Sequence, residues 1–510
     1  MTDKISYARC YTIQPSLRGG SLVCVEADVT RNLFNYTVVG LPDKGVQESS
    51  ERIHGALKNS GLPSPKQGSL KTTISLSPSN LKKEGSHYDA PIALAFLSAL
   101  EGFPIPGDCL IGGELTLFGE VLPIQGVLSF AYAALREGKT RLFVPTQHVE
   151  ILSMFNDLEI YGFSTIRELV NHFKEIEVIL PAHPTIFNQT NNSILYELGD
   201  VVGQDHALRS CLIAACGHHN CSFYGPPGTG KTMLARALAD LLPPLSYTEA
   251  LETYEIYSYT HESFSQLPTK APFRTPHHTS SYVALLGGGS SVQPGEISLA
   301  HNGVLFMDEF PEFETRVLEA LRQPLEDKQI VVARVKQTIV LPARFLLITA
   351  LNPCPCGYRF SDHKVCTCTQ QQLLKYRKKL SGPIMDRIDM WIPVLHTSLQ
   401  NISTAKGAPK TAEYRNSIQK TQEAIKERSL NLFKKELHNS ELSLKQLQML
   451  PISDRARQIL IGSCEKLGLS PRVFLKIYKL ARTIADIEQS ASIQENHVLE
   501  ALQQRKPPQL

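Results

Sequence analysis

The sequence predicts an α/β protein with three parts: an N-terminal α+β domain, a central P-loop α/β domain and a C-terminal helical lid. Residues 1–175 alternate short apolar segments with turn residues and helical patterns. Residues 201–396 alternate strand and helix patterns around nucleotide-binding motifs, which is typical of a parallel sheet covered on both faces. Residues 446–510 show the apolar periodicity of helices. A length of 510 residues agrees with about three domains.

Two polar segments are expected to connect these parts. Residues 176–200 include the proline- and asparagine-rich segment Pro181–Ser193 and are predicted to be a linker. Residues 397–445 are predicted to be a second linker that leads into the lid.

Individual elements of the N-terminal domain follow from apolar periodicity. We expect strands at Leu22–Ala27, Thr72–Leu76 and Arg141–Val144, and helices at Pro91–Leu100 and Leu128–Arg136.

Two helix starts are predicted in the lid. Ser470 followed by Pro471 is a typical first turn. Ser492 and Glu495 have the spacing of a capping box, which predicts the start of the last helix.

Composition excludes several classes of protein. Hydrophobic residues make up 42% and charged residues 20% of the chain, as in ordinary globular proteins. The longest apolar segments are too short or too interrupted to cross a bilayer, so no membrane association is expected. No secretory signal follows Met1, which predicts a cytoplasmic protein. The eleven cysteines are therefore interpreted as thiols or metal ligands, and a net charge of +3 permits a nucleic-acid partner without indicating one.

A complete phosphate-binding loop lies in the central domain. It follows a short apolar segment, opens a helical pattern and consists of Gly225, Pro226, Pro227, Gly228, Thr229, Gly230, Lys231 and Thr232. Its backbone N–H groups are expected to hold the phosphates of ATP, Lys231 to reach the β and γ oxygens, and Thr232 to bind Mg²⁺. The alternative is a glycine-rich turn with a chance lysine, and the flanking strand and helix argue against it.

An apolar segment that ends in two acids supplies the second half of an ATPase. Asp308 and Glu309 follow Val304–Met307. We expect Asp308 to hold the Mg²⁺ shell and Glu309 to polarise the attacking water. Without the P-loop, the same pattern would be only a solvated strand end.

Three further residues resemble motifs of AAA+ ATPases. Asn352 follows the apolar strand Arg344–Ala350 and resembles the sensor asparagine beside the γ-phosphate, although an asparagine here also suits a turn. Arg387 resembles the arginine finger that reaches a neighbouring subunit's ATP, which implies a ring; a surface ion pair with Asp389 is the alternative. Arg472, at the start of a lid helix, resembles the second sensor arginine.

The segments around these motifs resemble the magnesium chelatase and MCM branch of AAA+ proteins. An insertion between residues 273 and 303 separates the P-loop helix from the acidic strand. Gln329–Arg334 and Thr338–Leu341 predict a hairpin, and in a ring such hairpins point into the pore. Arg334 and Lys336 would then contact the phosphates of DNA, although a surface hairpin with ordinary cations fits the same pattern.

The N-terminal domain resembles the Lon protease domain, whose fold is related to ribosomal protein S5. The resemblance rests on the segments at residues 83–92 and 113–127. A Lon peptidase needs a serine nucleophile and a lysine base, and our alignment places Asp89 and Phe130 at these positions. The domain is therefore expected to be catalytically inactive and to act as a scaffold or nucleic-acid contact.

An inactive Lon-like domain, a chelatase-type AAA+ core and a helical lid together resemble the bacterial ComM/YifB family over nearly the whole chain. The resemblance implies a homo-hexameric ATPase, a DNA helicase that drives branch migration on single-stranded, forked or branched DNA during natural transformation. A chelatase motor subunit and an ATP-dependent protease are the rival hypotheses. The Lon-like domain argues against the first, and the missing serine–lysine pair argues against the second.

Four cysteines after the sensor asparagine suggest a metal site. Cys354, Cys356, Cys366 and Cys368 lie within fifteen residues. Four thiolates satisfy a tetrahedral structural Zn²⁺, although the C-x-C spacing is tighter than usual and free redox-active thiols are the alternative.

Overall fold

Two units make up the chain in the computed structural model. It describes residues 6–17, 19–31, 33–67, 69–189, 196, 198, 201–260, 264, 266–288, 293–333, 338–359, 364–380, 382–396 and 411–505. Internal contacts group residues 1–188 and 250–268 into one unit and residues 189–249 and 269–510 into the other. Residues 250–268, which continue the chain of the central domain, therefore belong to the N-terminal unit by their contacts.

Three sheets build the N-terminal unit, with alternating burial along β2 and nearly complete burial of β5 and β8. Its strands are β1 (Ser6–Ser16), β2 (Gly19–Arg31), β3 (Asn35–Val39), β4 (Leu70–Ser77), β5 (Cys109–Ile111), β6 (Glu114–Leu115), β7 (Val121–Leu122), β8 (Arg141–Pro145) and β9 (Glu159–Phe163). They form sheets of order β1-β2-β4-β3, β5-β8-β9 and β6-β7. Pairing is antiparallel for β1-β2 and β2-β4 and parallel for β3-β4 and within β5-β8-β9.

Helices cover these sheets. They are α1 (Lys44–Asn59), α2 (Asp89–Glu101), α3 (Leu128–Glu137), α4 (Val149–Leu152) and α5 (Ile166–Phe173). Residues 89–99 of α2 are all buried, which makes this helix the centre of the unit's core. The three strands and two helices predicted in this domain are confirmed, since they lie within β2, β4, β8, α2 and α3.

The second unit is built on a parallel sheet. The elements of the central region, in chain order, are α6 (Asp205–Gly217), β10 (Cys221–Tyr224), α7 (Lys231–Leu241), α8 (Tyr247–Tyr257), β11 (Phe273–Arg274), α9 (Tyr282–Leu286), β12 (Gly287–Gly288), β13 (Gln293–Pro294), α10 (Glu296–Leu299), β14 (Val304–Met307), α11 (Thr315–Ala320), α12 (Arg322–Asp327), β15 (Gln329–Ala333), β16 (Thr338–Pro342), β17 (Leu346–Leu351), α13 (Gln370–Lys379), α14 (Gly382–Met385) and β18 (Met390–Pro393). Five strands pair in parallel in the order β11-β14-β17-β10-β18, and their apolar side chains are buried. The fold class predicted from the sequence is thereby confirmed.

Helices make up the C-terminal region. They are α15 (Thr411–Phe433), α16 (Leu444–Gln448), α17 (Asp454–Lys466), α18 (Pro471–Ile487) and α19 (Glu495–Gln504). The predicted start of α18 is confirmed, because the Ser470 side chain accepts a hydrogen bond from Val473 N. Among the residues described, no helix combines the length and apolar character needed to cross a bilayer.

The predicted cap of the last helix is wrong. Ile493 is fully buried and pairs with Ile452 in an isolated parallel bridge, which keeps the chain extended past Ser492. The helix starts two residues later than the predicted box requires, and Gln494 and His497 form the capping box instead.

The segment predicted as a second linker contains the long helix α15. Five of its residues are buried, and four of them recur every three or four positions on one face: Ile418, Thr421, Ile425 and Ser429, with Thr411 at the start of the helix. Three of the five carry hydroxyl groups, so the amphipathic pattern of the helix is weak in the sequence. Residues 397–410 of the predicted linker lie outside the described part of the chain.

A buried ion pair occupies the position that the resemblance compares with the Lon nucleophile. Asp89, at the start of α2, is fully buried. Its carboxylate accepts hydrogen bonds from Arg52 Nε and Nη2 at 2.8 and 2.9 Å and from Leu115 N at 3.2 Å. Burial raises the pKa of Asp89 to about 6, and Arg52 opposes this rise. Phe130 is fully buried in the core, so neither side chain offers a nucleophile or a base.

We predict that the Arg52→Met substitution destabilises the N-terminal unit by about 3 kcal/mol, because it leaves a buried carboxylate without its cation. Native-state hydrogen exchange of the β2 and β4 amides measures this free energy. The double variant Arg52→Met/Asp89→Met removes both charges and should recover most of it. As a control, Lys66→Met breaks the exposed Lys66–Glu51 pair and should change stability by less than about 1 kcal/mol. Equal effects of the two single substitutions would contradict the prediction.

Candidate functional site

The phosphate-binding loop joins the carboxyl end of β10 to the start of α7. Gly228 and Gly230 have φ angles of +77° and +88°, which residues with a side chain rarely adopt. A Cβ at Gly225 would lie 2.0 Å from the Val394 carbonyl oxygen, so this glycine is required by close packing. The backbone N–H groups of such a loop and the N-terminus of α7 form a binding site for phosphate.

Lys231 is buried at the base of this loop. Its Nζ donates to the carbonyl oxygens of Gly225 and Pro226 at 2.8 and 2.7 Å, and to Asn352 Oδ1 at 3.1 Å. Burial lowers the pKa of Lys231 to about 8, against the opposing charge of Asp308. The ammonium group thus has three acceptors in place and a reduced preference for its charge.

Asp308 and Thr232 converge as the sequence predicts. Thr232 Oγ1 donates to Asp308 Oδ2 at 3.0 Å, and Asp308 follows the fully buried strand β14. A hydroxyl and a carboxylate side by side are oxygen ligands of the kind that Mg²⁺ prefers. These two residues therefore fit a Mg²⁺ site.

Glu309 is exposed and held by an unusual backbone. Its φ angle is +49°, in the left-handed region, and its N–H donates to Asp308 Oδ1 at 2.8 Å. Left-handed backbone at a non-glycine residue is sparsely populated and concentrates at functional sites. The Glu309 side chain is free to meet a water molecule at this edge of the sheet.

A histidine that motif reasoning did not single out lies beside Glu309. His278 follows β11, and its Nδ1 is 3.4 Å from Glu309 Oε2. The ring of the neighbouring His277 contacts it in a tilted arrangement, with ring centroids 4.2 Å apart and an interplanar angle of 33°. The parallel pairing of β11 with β14 brings the segments that follow the two strands to the same end of the sheet, where this contact forms.

Asn352 lies next to the phosphate-binding loop. It follows β17, and besides its contact with Lys231 its carbonyl oxygen accepts a hydrogen bond from Tyr376 Oη at 2.8 Å. Tyr376 is buried on α13 and was not identified from the sequence. The structure therefore places Asn352 beside the phosphate-binding loop, and its role as a sensor asparagine stays a prediction.

Arg387 lies at the amino ends of the parallel strands, opposite the carboxyl ends where the P-loop lies. β10 and β18 are parallel with Cys221 beside Met390, so the residues that precede β18 lie at the start of β10 and the P-loop at its end. A strand of four residues separates these edges by about 10 Å. Arg387 is buried and forms an ion pair with Glu326.

Arg472 lies with Arg387. Its Nη2 is 3.9 Å from Glu326 Oε1, so one carboxylate faces both arginines. Asp389, the alternative partner for Arg387, instead binds Lys476 at 2.7 Å. Glu326 carries no recognisable motif, because its role depends on how α12 and α18 meet in space.

The four predicted cysteines come together. Their sulfur atoms all lie within 4.8 Å of one another. Cys354 Sγ is 3.4 Å from Cys356 Sγ and 3.7 Å from Cys366 Sγ, and the Cys356 N–H donates to Cys368 Sγ at 3.3 Å. Among the cysteine, histidine, aspartate and glutamate side chains of the described residues, these four cysteines form the group whose ligand atoms lie close enough together to share a metal ion.

The predicted hairpin is present as strands β15 and β16. They pair antiparallel with Gln329 beside Pro342 and Ala333 beside Thr338. Arg334 and Lys336, the residues predicted to contact DNA, lie outside the described residues.

Comparison with family models assigns three segments of the chain to magnesium chelatase families. Residues 197–402 match the model "Magnesium chelatase, subunit ChlI". Residues 25–148 match "Subunit ChlI of Mg-chelatase", and residues 408–505 match "Magnesium chelatase, subunit ChlI C-terminal".

Two relatives match the chain over most of its length, and a third matches part of it. The chain is 37% identical to "Competence protein ComM" of Haemophilus influenzae over 492 residues, 94% of both chains. It is also 37% identical to "Uncharacterized protein YifB" of Escherichia coli K12, over 95% of this chain and 94% of the relative. "Lon protease 1" of Hydrogenovibrio crunogenus is 27% identical over 203 residues, which cover 38% of this chain and 24% of that protein.

We predict that ATP binding takes up a proton at pH 8.5 and not at pH 6.5. With a pKa of about 8, Lys231 is mostly neutral at the higher pH, and a bound triphosphate favours its charged form. Calorimetry in buffers of different ionisation enthalpy measures the uptake, in the Glu309→Gln background to prevent hydrolysis. ATP affinity should also fall as the pH rises through 8. Identical enthalpies in all buffers at pH 8.5 would contradict the assignment of this pKa.

Proposed function

The chain belongs to the ComM/YifB family of magnesium-chelatase-like AAA+ ATPases, and we propose that it is a homo-hexameric DNA motor with helicase and branch-migration activity. Its cofactors in this proposal are ATP and Mg²⁺, and Zn²⁺ is the ion that we propose for the four-thiol cluster. We further propose that it acts on transforming DNA in the cytoplasm, and the name of the Haemophilus relative, a competence protein, supports the link with transformation.

Each residue at the carboxyl edge of the sheet has a defined task in ATP hydrolysis. The P-loop N–H groups and Lys231 would bind the phosphates, and Thr232 and Asp308 would hold Mg²⁺, which would supply positive charge to the triphosphate. Glu309 would orient the attacking water and take up its proton, and His278 would restrain the Glu309 carboxylate. Asn352, which contacts Lys231 and Tyr376, would act as the sensor of the γ-phosphate. Positioning and charge stabilisation are what phosphoryl transfer requires.

The location of two arginines away from the phosphate-binding edge is the observation that carries the ring proposal. Arg387 and Arg472 share Glu326 at the edge opposite the P-loop, about 10 Å from it. An arginine there lies a strand length from the P-loop of its own subunit. A neighbouring subunit that presents its ATP to this edge would use both.

The DNA part of the proposal is supported by family membership and by the hairpin β15–β16. In a ring, this hairpin would line the pore with Arg334 and Lys336 between its strands. The contacts would be to phosphates, which position DNA without reading its sequence. The Lon-like domain, in which Asp89 and Phe130 replace the catalytic pair, would serve as a scaffold or second DNA contact.

We predict that the Arg387→Ala and Glu309→Gln variants are each inactive and that mixing them restores ATPase activity. Each substitution should lower kcat by about 10³-fold while ATP still binds. In a mixed ring, a Glu309→Gln subunit supplies Arg387 to the intact acidic site of its neighbour. The mixture should therefore regain a clear fraction of the wild-type rate, measured by phosphate release.

The matched control is Arg322→Ala, which removes an arginine from an exposed pair with Glu319 and should leave kcat within about twofold. If mixing recovered no activity although mixed assemblies formed, Arg387 would act within its own subunit and the ring argument would fail.

We predict that single-stranded or forked DNA stimulates the ATPase and that the wild-type protein displaces strands on forked and Holliday-type substrates. Lys231→Ala and Glu309→Gln should abolish displacement, because one loses phosphate binding and the other hydrolysis. Stimulation should weaken as salt rises, since counterions compete for phosphate contacts.

The rival functions are outcomes of the same experiment. An ATPase that ignores DNA at every salt concentration would favour a chelatase motor subunit. Degradation of casein would favour a protease. Full displacement by both variants would exclude the proposed mechanism.

A further inference from the structure

We propose that Zn²⁺ bound by Cys354, Cys356, Cys366 and Cys368 holds the loop that positions Asn352 and the phosphate-binding loop for ATP hydrolysis. The inference deepens the proposed function and depends on its ATPase part, not on its DNA part. The cluster is then a device that makes hydrolysis depend on metal loading.

The geometry of the cluster fits a single tetrahedral ion. Zn–S bonds of about 2.3 Å place the sulfur atoms of a tetrahedral site about 3.8 Å apart. The three measured separations among Cys354, Cys356 and Cys366 are 3.4, 3.7 and 3.5 Å. Cys368 completes the group within the 4.8 Å limit that encloses all four sulfur atoms.

Backbone donors support four thiolates at this place. The N–H groups of Arg359 and Cys356 donate to the sulfur atoms of Cys354 and Cys368, both at 3.3 Å. Gly357 has a φ angle of +84°, and its N–H donates to the Cys354 carbonyl oxygen at 2.9 Å, which turns the chain back over the sulfur atoms. Such hydrogen bonds orient thiolate ligands and stabilise their charge.

The described residues of the loop between β17 and α13, 352–359 and 364–369, lack regular secondary structure. The large apolar side chain of Val365 is 85% exposed. Loops of this length without secondary structure are uncommon unless something else fixes them. A bound metal supplies folding free energy that a small apolar core would otherwise provide.

The loop contacts both halves of the phosphate site. Cys354 is two residues from Asn352, and a Cβ at Gly357 would lie 2.6 Å from Pro227 Cδ and 3.8 Å from Asn352 Cγ. The far end of the loop leads into α13, whose Tyr376 donates to the Asn352 carbonyl oxygen. Fixing the four sulfur atoms therefore fixes the backbone on both sides of the sensor asparagine.

Metal content and kinetics of Cys368→Ser and Cys368→His test the proposal. The wild-type protein, purified under reducing conditions, should contain one zinc per chain, as measured by mercurial release to a chromogenic chelator. Cys368→Ser should lose zinc and lower kcat by about 10- to 100-fold while KM for ATP stays within about threefold. Cys368→His, which retains a zinc ligand, should recover both zinc and most of kcat.

The control and a second measurement separate positioning from misfolding. Cys24→Ser changes a half-buried thiol of the N-terminal unit and should alter neither zinc nor kcat. Hydrogen exchange of residues 351–357 should increase in Cys368→Ser, while exchange in β10 and β14 stays unchanged. Faster exchange throughout the sheet would mean a folding defect and would overturn the positioning role.

Other outcomes have distinct meanings. Wild-type protein without zinc, or with its four thiols in disulfides, would overturn the metal site. Zinc loss with unchanged kcat and unchanged exchange at residues 351–357 would overturn the coupling. A zinc-loaded wild type that does not hydrolyse ATP would instead refute the proposed function, and the exchange experiment would still decide whether zinc holds the loop.

Discussion

The common direction of five parallel strands is the constraint on which the site depends. Each of four strands ends at the same edge, and the residues that follow them meet there: His278 after β11, Asp308 after β14, Asn352 after β17 and the P-loop after β10. Because β18 runs the same way, the residues before it, including Arg387, are delivered to the other edge. The phosphate-binding residues thus lie at the carboxyl ends of the strands, and Arg387 lies at their amino ends.

The loops that follow β10, β14 and β17 lie beyond the hydrogen bonds of the sheet, and different contacts stabilise each of them. In the P-loop, two glycines adopt positive φ angles, and Lys231 Nζ donates hydrogen bonds to carbonyl oxygens of the loop itself. In the turn after β14, the Asp308 carboxylate accepts hydrogen bonds from the Thr232 hydroxyl and from the Glu309 N–H. The connection after β17 has four converging thiols. Positions with strained or polar backbone are tolerated where the surrounding contacts determine them.

Sequence reasoning found the residues whose chemistry is local and missed those whose role arises in space. The P-loop, Asp308 and Glu309 are recognisable because strand, loop and helix are contiguous, and the cysteines because four thiols in a short segment are rare. Tyr376, Glu326 and the Glu309 contact of His278 carry no motif, since each depends on packing between elements far apart in the chain. The predicted cap of the last helix was wrong for a related reason. The bridge between Ile452 and the buried Ile493 keeps the chain extended past Ser492, and this contact cannot be read from the spacing of Ser492 and Glu495.

Glu326 has a further consequence for a ring. Arg387 is nearly buried, and a buried guanidinium requires an anionic partner. Within one chain that partner is Glu326, which also faces Arg472. In the proposed ring, the triphosphate of a neighbour would compete with this single carboxylate for two arginines, and its larger charge favours the exchange. ATP would therefore strengthen the subunit contact, and its hydrolysis would return the arginines to Glu326. The same ion pair that stabilises the isolated chain would then make assembly sensitive to the nucleotide.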